Sequence, residues 1–149
     1  FITPLSTTTT GKVYIQFYVN KAESNKAKGF VFYTANLEKL RIDFDETGKI
    51  NVFTAKHTSL ELDTYQANRW YRVDIVLDQT NDTYKLTIDG LLKVEGIPCY
   101  NSPESYLGGT EIPQQDRLYN NFFGIMTNLN VNYAGDTTYL DNILIYYVP

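Results

Sequence analysis

Apolar and polar positions alternate along most of this chain. Tyr71, Val73, Ile75 and Leu77 share one side of an extended backbone, and Arg72, Asp74 and Asp78 share the other. After a polar interval, Tyr84, Leu86 and Ile88 alternate with Lys85, Thr87 and Asp89. A period of two over this length specifies strands with one buried face. A loop at 79–82 sets the register, with Leu77 opposite Tyr84, Ile75 opposite Leu86 and Val73 opposite Ile88. The same register puts Arg72 opposite Asp89 on the wetter face as a charge pair.

The pattern recurs on both sides of this hairpin. In "KVYIQFYVN", Val13, Ile15, Phe17 and Val19 alternate with Tyr14, Gln16 and Tyr18. "LRIDFDETGKINVFTA" is a second hairpin, in which Leu40, Ile42 and Phe44 share a face with Ile50 and Val52. Its loop is Glu46-Thr47-Gly48, with the glycine left-handed. Further strands are expected at "FVFYTA", "SLEL", "LLKVEG", "YNNFFGIMTN" and the long, mostly apolar "TTYLDNILIYYV". Residues 1–10 read as a strand end or linker. The Pro-, Gly- and Ser-rich stretch "IPCYNSPESYLGGTEIPQQD" reads as a loop, with at most one helical turn near 103–106. Eight or nine short strands without a helix or an internal repeat predict one antiparallel β-sandwich or jelly roll over residues 1–149.

Composition fits that reading and narrows the function. A chain of 149 residues suits one domain and buries roughly 68–70 % of its unfolded surface without a staple. No apolar run approaches the ~18 residues of a membrane span. The net charge is −4 and the Lys and Arg residues are dispersed, which argues against a nucleic-acid surface. The 13 Tyr and 8 Phe, with abundant Thr and Asn, favour strands and turns. Cys99 is the single cysteine, so an internal disulfide is excluded. The chain starts with Phe and carries no signal peptide, as expected of a processed product, an excised domain or part of a longer chain. Asn81-Asp82-Thr83 matches a glycosylation sequon, a triplet that a polar hairpin loop also produces by chance.

The stretch "ANRWYRVDIVLDQTNDTYKLTIDGLLK" resembles the signature hairpin of concanavalin A-like lectin/glucanase jelly rolls, including laminin-G-like modules: a Trp-Tyr pair, an alternating strand, a turn, then Tyr…Asp-Gly. "TTYLDNILIY" is similar to the last strand of non-catalytic modules on secreted bacterial polysaccharide-degrading enzymes, and "FITPLS…GKVYIQFYV" to an internal strand pair of such modules. The resemblance implies a two-sheet, all-β jelly roll whose first strands are missing from this chain. It implies Trp70 packed into the sandwich, an extracellular or cell-surface location, and non-catalytic glycan binding as an accessory module. It also implies a structural calcium near the chain ends, for which Asp136, Asp141 and Asn142 are the candidate ligands. A structural subunit of a surface layer, fibre or adhesive filament is the alternative, and a catalytic jelly-roll glycanase or lyase a further one.

Two residue sets suit a glycan. Tyr14, Gln16 and Tyr18 offer rings for the C–H face of a sugar and an amide for its hydroxyls. Arg41, Asp43, Asn51 and Phe53 come together if Asp43 faces Asn51 and Arg41 faces Phe53, so that a planar guanidinium, two short polar groups and a ring grip a sugar or uronate. The plainer reading of the first set is a face covered by the second sheet or by a loop; the plainer reading of the second, and the favoured one there, is a solvated sheet face with ordinary cross-strand pairs. Tyr100, Tyr106, Tyr119 and Tyr133 stand in or beside long loops, where β-scaffolds carry specificity or pin loops down. No catalytic residue is assigned. Glu61 and Asp63 match the first two acids of a laminarinase-type strand, but Tyr65 or Gln66 replaces the required second Glu. His57, the only histidine, lacks the Gln two residues earlier that jelly-roll lyases use. Finally, the strand Thr138 to Val148 is expected to be completed from outside, by a missing upstream segment or a strand-donating neighbour, unless residues 1–5 fold back over its edge.

Overall fold

The computed structural model describes residues 2–4, 10–34, 37–54, 58–99, 122–126 and 137–148. Strands in chain order are β1 (Ile2–Pro4), β2 (Lys12–Lys21), β3 (Lys28–Thr34), β4 (Leu37–Phe44), β5 (Lys49–Phe53), β6 (Ser59–Thr64), β7 (Trp70–Asp78), β8 (Thr83–Ile88), β9 (Leu91–Pro98), β10 (Phe122–Met126) and β11 (Thr138–Val148). They form two antiparallel sheets, a six-stranded one in the order β1-β10-β3-β4-β5-β6 and a five-stranded one in the order β11-β2-β7-β8-β9. The fold is an all-β sandwich, as the alternation requires.

The central hairpin has the predicted register: Leu77 faces Tyr84, Ile75 faces Leu86 and Val73 faces Ile88. The charge pairing on its wet face is different. Arg72 donates its backbone N–H to Asp89 Oδ1 at 2.9 Å, while Arg69 takes the Asp89 carboxylate at 2.8 Å. The Arg72 guanidinium instead turns along its own strand to Asp74. The β8–β9 connection is the two-residue turn Asp89-Gly90, both with positive φ, 52° and 78°. That is the conformation an Asp-Gly hairpin favours. In the β4–β5 hairpin, Gly48 has φ +82°, and Asp45 pairs with Lys49 around the predicted three-residue loop.

The inward rows fill one core. Val13, Ile15, Phe17 and Val19 of β2 and Val73, Ile75 and Leu77 of β7 face Phe30, Phe32, Leu40, Ile42, Phe44, Ile50 and Val52 of the other sheet. Phe30 touches Phe17 at 5.0 Å and Phe44 at 5.9 Å, and Phe44 meets Tyr65 and Tyr71 edge-on, so one aromatic chain links the layers. The buried tyrosines keep their hydroxyls bonded: Tyr65 donates to the Asp45 carbonyl at 2.6 Å, and Tyr84 to the Phe53 carbonyl at 3.3 Å. At the sheet edges Lys93 of β9 ion-pairs with Asp63 of β6 at 2.6 Å. Cys99 is fully buried, and burial raises its thiol pKa.

Trp70 departs from expectation. It is 46 % exposed on the outer face of the five-stranded sheet. Alternation allows only one member of the Trp-Tyr pair to point inward, and Tyr71, 3 % exposed, takes that place. The edge of β11 was expected to gain a strand or be covered by residues 1–5. β1 pairs with β10 in the other sheet, and among the described residues β11 pairs with β2 alone.

Candidate functional site

The two candidate sets lie on opposite outer faces of the sandwich. On the six-stranded sheet Asp43 faces Asn51 across β4–β5, as predicted. Arg41 donates from Nε to both Asp43 oxygens, at 3.0 and 3.1 Å, and from Nη2 to Oδ2 at 2.9 Å. Its guanidinium carbon lies 4.7 Å from the centre of the Phe53 ring. The Arg41 and Asp43 side chains are 21 % and 10 % exposed, so this charge pair is fixed in a recessed position. Charge-assisted bonding and ring stacking together hold the guanidinium plane.

Two neighbours extend this shelf. Glu61 of β6 stands opposite Asn51 and ion-pairs with Lys49 at 2.7 Å. Asn51 donates from Nδ2 to Asp45 Oδ2 at 2.8 Å, which orients its amide. Asp45 also accepts from the Thr47 N–H at 2.9 Å, the Thr47 hydroxyl at 2.7 Å and the Lys49 N–H at 2.9 Å. Burial pulls the Asp45 pKa up, but the donors from Lys49, Thr47 and Asn51 outweigh it, and the carboxyl sits below its ordinary value. The hydrogen bond and charge of Glu61 raise the Lys49 pKa. A guanidinium, an amide, a ring and an exposed carboxylate thus line a strip three strands wide, about 10 Å.

On the five-stranded sheet, Tyr14 and Tyr146 face each other across β2–β11 with ring centroids 4.8 Å apart and planes 1° from parallel. Gln16 accepts from Arg72 Nη2 at 3.1 Å. Arg72 is held by Asp74, which in turn accepts from the Thr87 hydroxyl at 3.3 Å. Tyr14 therefore has one ring face turned to Tyr146, and Gln16 has its carbonyl committed. Tyr18 lies on the same face, opposite Arg72.

The remaining candidates scatter. Asp141 and Asn142 sit at the β11 bulge, where Asp141 Oδ1 accepts the Asn142 N–H at 2.8 Å. Asp136, His57, Tyr100, Tyr106, Tyr119 and Tyr133 lie outside the described residues. Among the described residues no group of three or more His, Cys, Asp or Glu could hold a metal ion. Glu61 and Asp63 each hold a lysine, Lys49 and Lys93, and hydrogen bonding from Lys93 keeps Asp63 below its ordinary pKa. Tyr65, one of the residues in place of a second Glu, is in the core.

Sequence reasoning missed Tyr146, Lys49 and Asp45. The first needed the β2–β11 register, between strands more than a hundred residues apart. The other two were legible as hairpin-turn neighbours of Asn51.

No protein-family model and no curated protein matches the chain. Solved structures do. A sialidase superposes with a TM-score of 0.64 at 13 % identity over 93 % of this chain and 13 % of its own. The alginate lyase AlgAT5 of polysaccharide lyase family 7 gives 0.64 at 16 % identity, covering 99 % of this chain and 63 % of the lyase. A tetrameric galectin from the ball sponge Cinachyrella sp. gives 0.54 at 12 % identity over 99 % of both chains. The chain thus spans only part of the sialidase and the lyase, and nearly all of the galectin. At these identities the likeness is one of fold: two sheets in the arrangement of a concanavalin A-like jelly roll.

Proposed function

We propose that this chain is a non-catalytic glycan-binding module of an extracellular protein, and that Arg41, Asp43, Asn51 and Phe53, extended by Glu61 and Lys49, form its binding shelf. The observation that carries this reading is the recessed guanidinium, clamped by Asp43 and laid over Phe53 beside an oriented amide. Side chains already fixed lose little entropy when a sugar arrives. Planar Arg and carboxylate groups match vicinal hydroxyls or a uronate. Structures of like fold carry the names galectin, sialidase and alginate lyase, all of them tied to glycans, which supports the ligand class. The core position of Tyr65, one of the residues standing where laminarinase-type hydrolysis needs a second Glu, supports binding over hydrolysis. A shallow site with few hydrogen bonds implies dissociation constants between about 1 mM and 1 μM.

A glycan array identifies the ligand, and calorimetric titration of the strongest hit tests the shelf. Arg41→Ala is expected to weaken binding at least about tenfold, or ~1.4 kcal/mol. Equal affinity in wild type and Arg41→Ala would remove this shelf as the binding site.

A second reading, a structural subunit, is favoured by β11. Its outer edge is unpaired among the described residues, and it exposes Tyr139, Ile143, Leu144, Tyr146 and Val148. An unprotected edge invites another strand. Sedimentation at rising concentration separates the readings: a growing series of oligomers supports the subunit, and a single 17.1 kDa species excludes it.

A further inference from the structure

Among the described residues the edge strands of the two sheets are β1, β6, β9 and β11. A sheet edge is a template for another strand, and proteins guard it with shortness, proline, charge or bulges. Three of these edges are guarded. β1 has three residues and ends in Pro4. β6 carries Glu61 and Asp63, both ion-paired. β9 carries Lys93 and Glu95, ends in Pro98 and breaks register twice against β8. β11 is guarded over its first half only. Asp141 stands there, and a bulge with Asn142 at φ +49° interrupts the pairing with β2 before Leu144. From Leu144 to Val148 the strand is regular and holds no charge, proline or glycine.

The backbone of that stretch has a definite orientation. The Gln79 N–H donates to the Gly11 carbonyl, so odd-numbered residues of β2 bond to β7 and even-numbered ones to β11. Leu144, Tyr146 and Val148 stand opposite Gln16, Tyr14 and Lys12 and turn their N–H and C=O groups to β2. Those of Ile145 and Tyr147 point out of the sheet edge. The side chains of these two pack on the core, while Leu144, Tyr146 and Val148 are 50, 48 and 43 % exposed.

We propose that a second copy of this chain completes the edge, β11 against β11, about a two-fold axis through Tyr146. In that antiparallel register Ile145 pairs with Tyr147 of the second copy and Tyr147 with its Ile145. Each outward N–H then meets an outward C=O, with none left over. Leu144 meets Val148 and Tyr146 meets Tyr146, apolar and aromatic cross-strand pairs of the stabilising kind. An axis at Ile145 would bring the Asn142 bulge into the ladder. An axis at Tyr147 would set Ile145 opposite Pro149, which has no N–H to donate. The chain carries −4 overall, yet the joined stretch is uncharged, so two copies meet here without like charges in contact. The contact is isologous and closes at two copies, unlike the open series of a filament.

The interface lies on the sheet opposite the Arg41 shelf, so it stands or falls apart from glycan binding. Sedimentation equilibrium of the full chain from about 10 μM to about 1 mM covers the range of a small interface. The mass is expected to rise from 17.1 kDa to a limit of two chains and stop. Tyr146→Lys and Tyr146→Glu each put like charges on the axis and are each expected to weaken association at least about tenfold, with circular dichroism showing that they fold. An equimolar mixture of the two is expected to recover the dimer, because a residue on the axis meets its own counterpart. If either fails to fold, Leu144→Lys with Val148→Lys and Leu144→Lys with Val148→Glu replace them: this register repels the first pair and retains the second. A single-chain mass throughout would overturn the proposal and leave the edge to a strand of another protein. Growth past two copies would overturn its closure. A dimer indifferent to these substitutions, or a mixture that stays monomeric while the unaltered chain dimerises, would overturn the register.

Discussion

Lys39 Nζ lies 2.9 and 3.0 Å from the two carboxylate oxygens of Asp82. Lys39 belongs to β4 in the six-stranded sheet and Asp82 to the β7–β8 loop of the other, so this ion pair ties one end of the sandwich together. The pairing register between β3 and β4 shifts beside Lys39, which separates it from the regular Arg41 and Asp43 positions. Both side chains are mostly buried, 11 % and 23 % exposed. Asp82 also has φ +54°, a conformation that Asn accepts and Ala resists. Asp82→Asn is expected to cost about 1.5 kcal/mol in chemical denaturation, and Asp82→Ala about 1 kcal/mol more. Equal stability of all three proteins would mean that the pair contributes nothing.

The stability should fall in acid for a definable reason. Asp45, Asp63 and Asp78 all have carboxyl pKa values below their ordinary value. For Asp45 the turn donors outweigh burial; for Asp63 the main cause is the hydrogen bond from Lys93; for Asp78 it is the side chain of Asn81. A carboxyl lowered in the folded state stabilises the fold wherever the unfolded chain would carry it ionised. That contribution is lost as pH falls through the folded value. The stability is therefore expected to be level above about pH 5 and to drop below about pH 4. Asp45→Asn should lower the stability at pH 7 and reduce the acid-side slope. A slope identical to wild type would show that Asp45 is not one of the groups responsible.

Much of the fold could be read from the sequence, because alternation and turn residues are local signals. The hairpins at 71–88 and 40–52 follow from the period of two, the first with its polar loop at 79–82 and the second with Gly48 in a left-handed turn. The faces of Tyr14, Arg41 and Asp43 follow from the same period. Other features needed the third dimension. The hairpin pattern places Asp89 opposite Arg72, but cannot say that Arg69 would reach its carboxylate first. The Trp-Tyr pair must put one ring outside, and only the phase of β7 against the core decides which. Tyr146 stacks on Tyr14 through a pairing between the ends of the chain, which no local window contains.

Gly48 offers a test of the turn chemistry that positions Asn51. Its φ is +82°, and an added Cβ would lie 3.5 Å from the Tyr65 carbonyl oxygen, an ordinary contact. Space is available and the backbone conformation is the obstacle. Gly48→Ala is expected to cost about 1 kcal/mol in thermal or chemical unfolding, with no change of fold. A stabilised variant would show that this turn has room to relax.

The central claim, that a glycan binds on the Arg41 shelf, is tested most directly by amide chemical-shift mapping. Labelled protein is titrated with the strongest array hit. Saturating shifts are expected to cluster at Arg41, Asp43, Asn51, Phe53 and Glu61, and to vanish at those positions in Arg41→Ala. A spectrum in which these five resonances stay fixed while the glycan is demonstrably bound would contradict it.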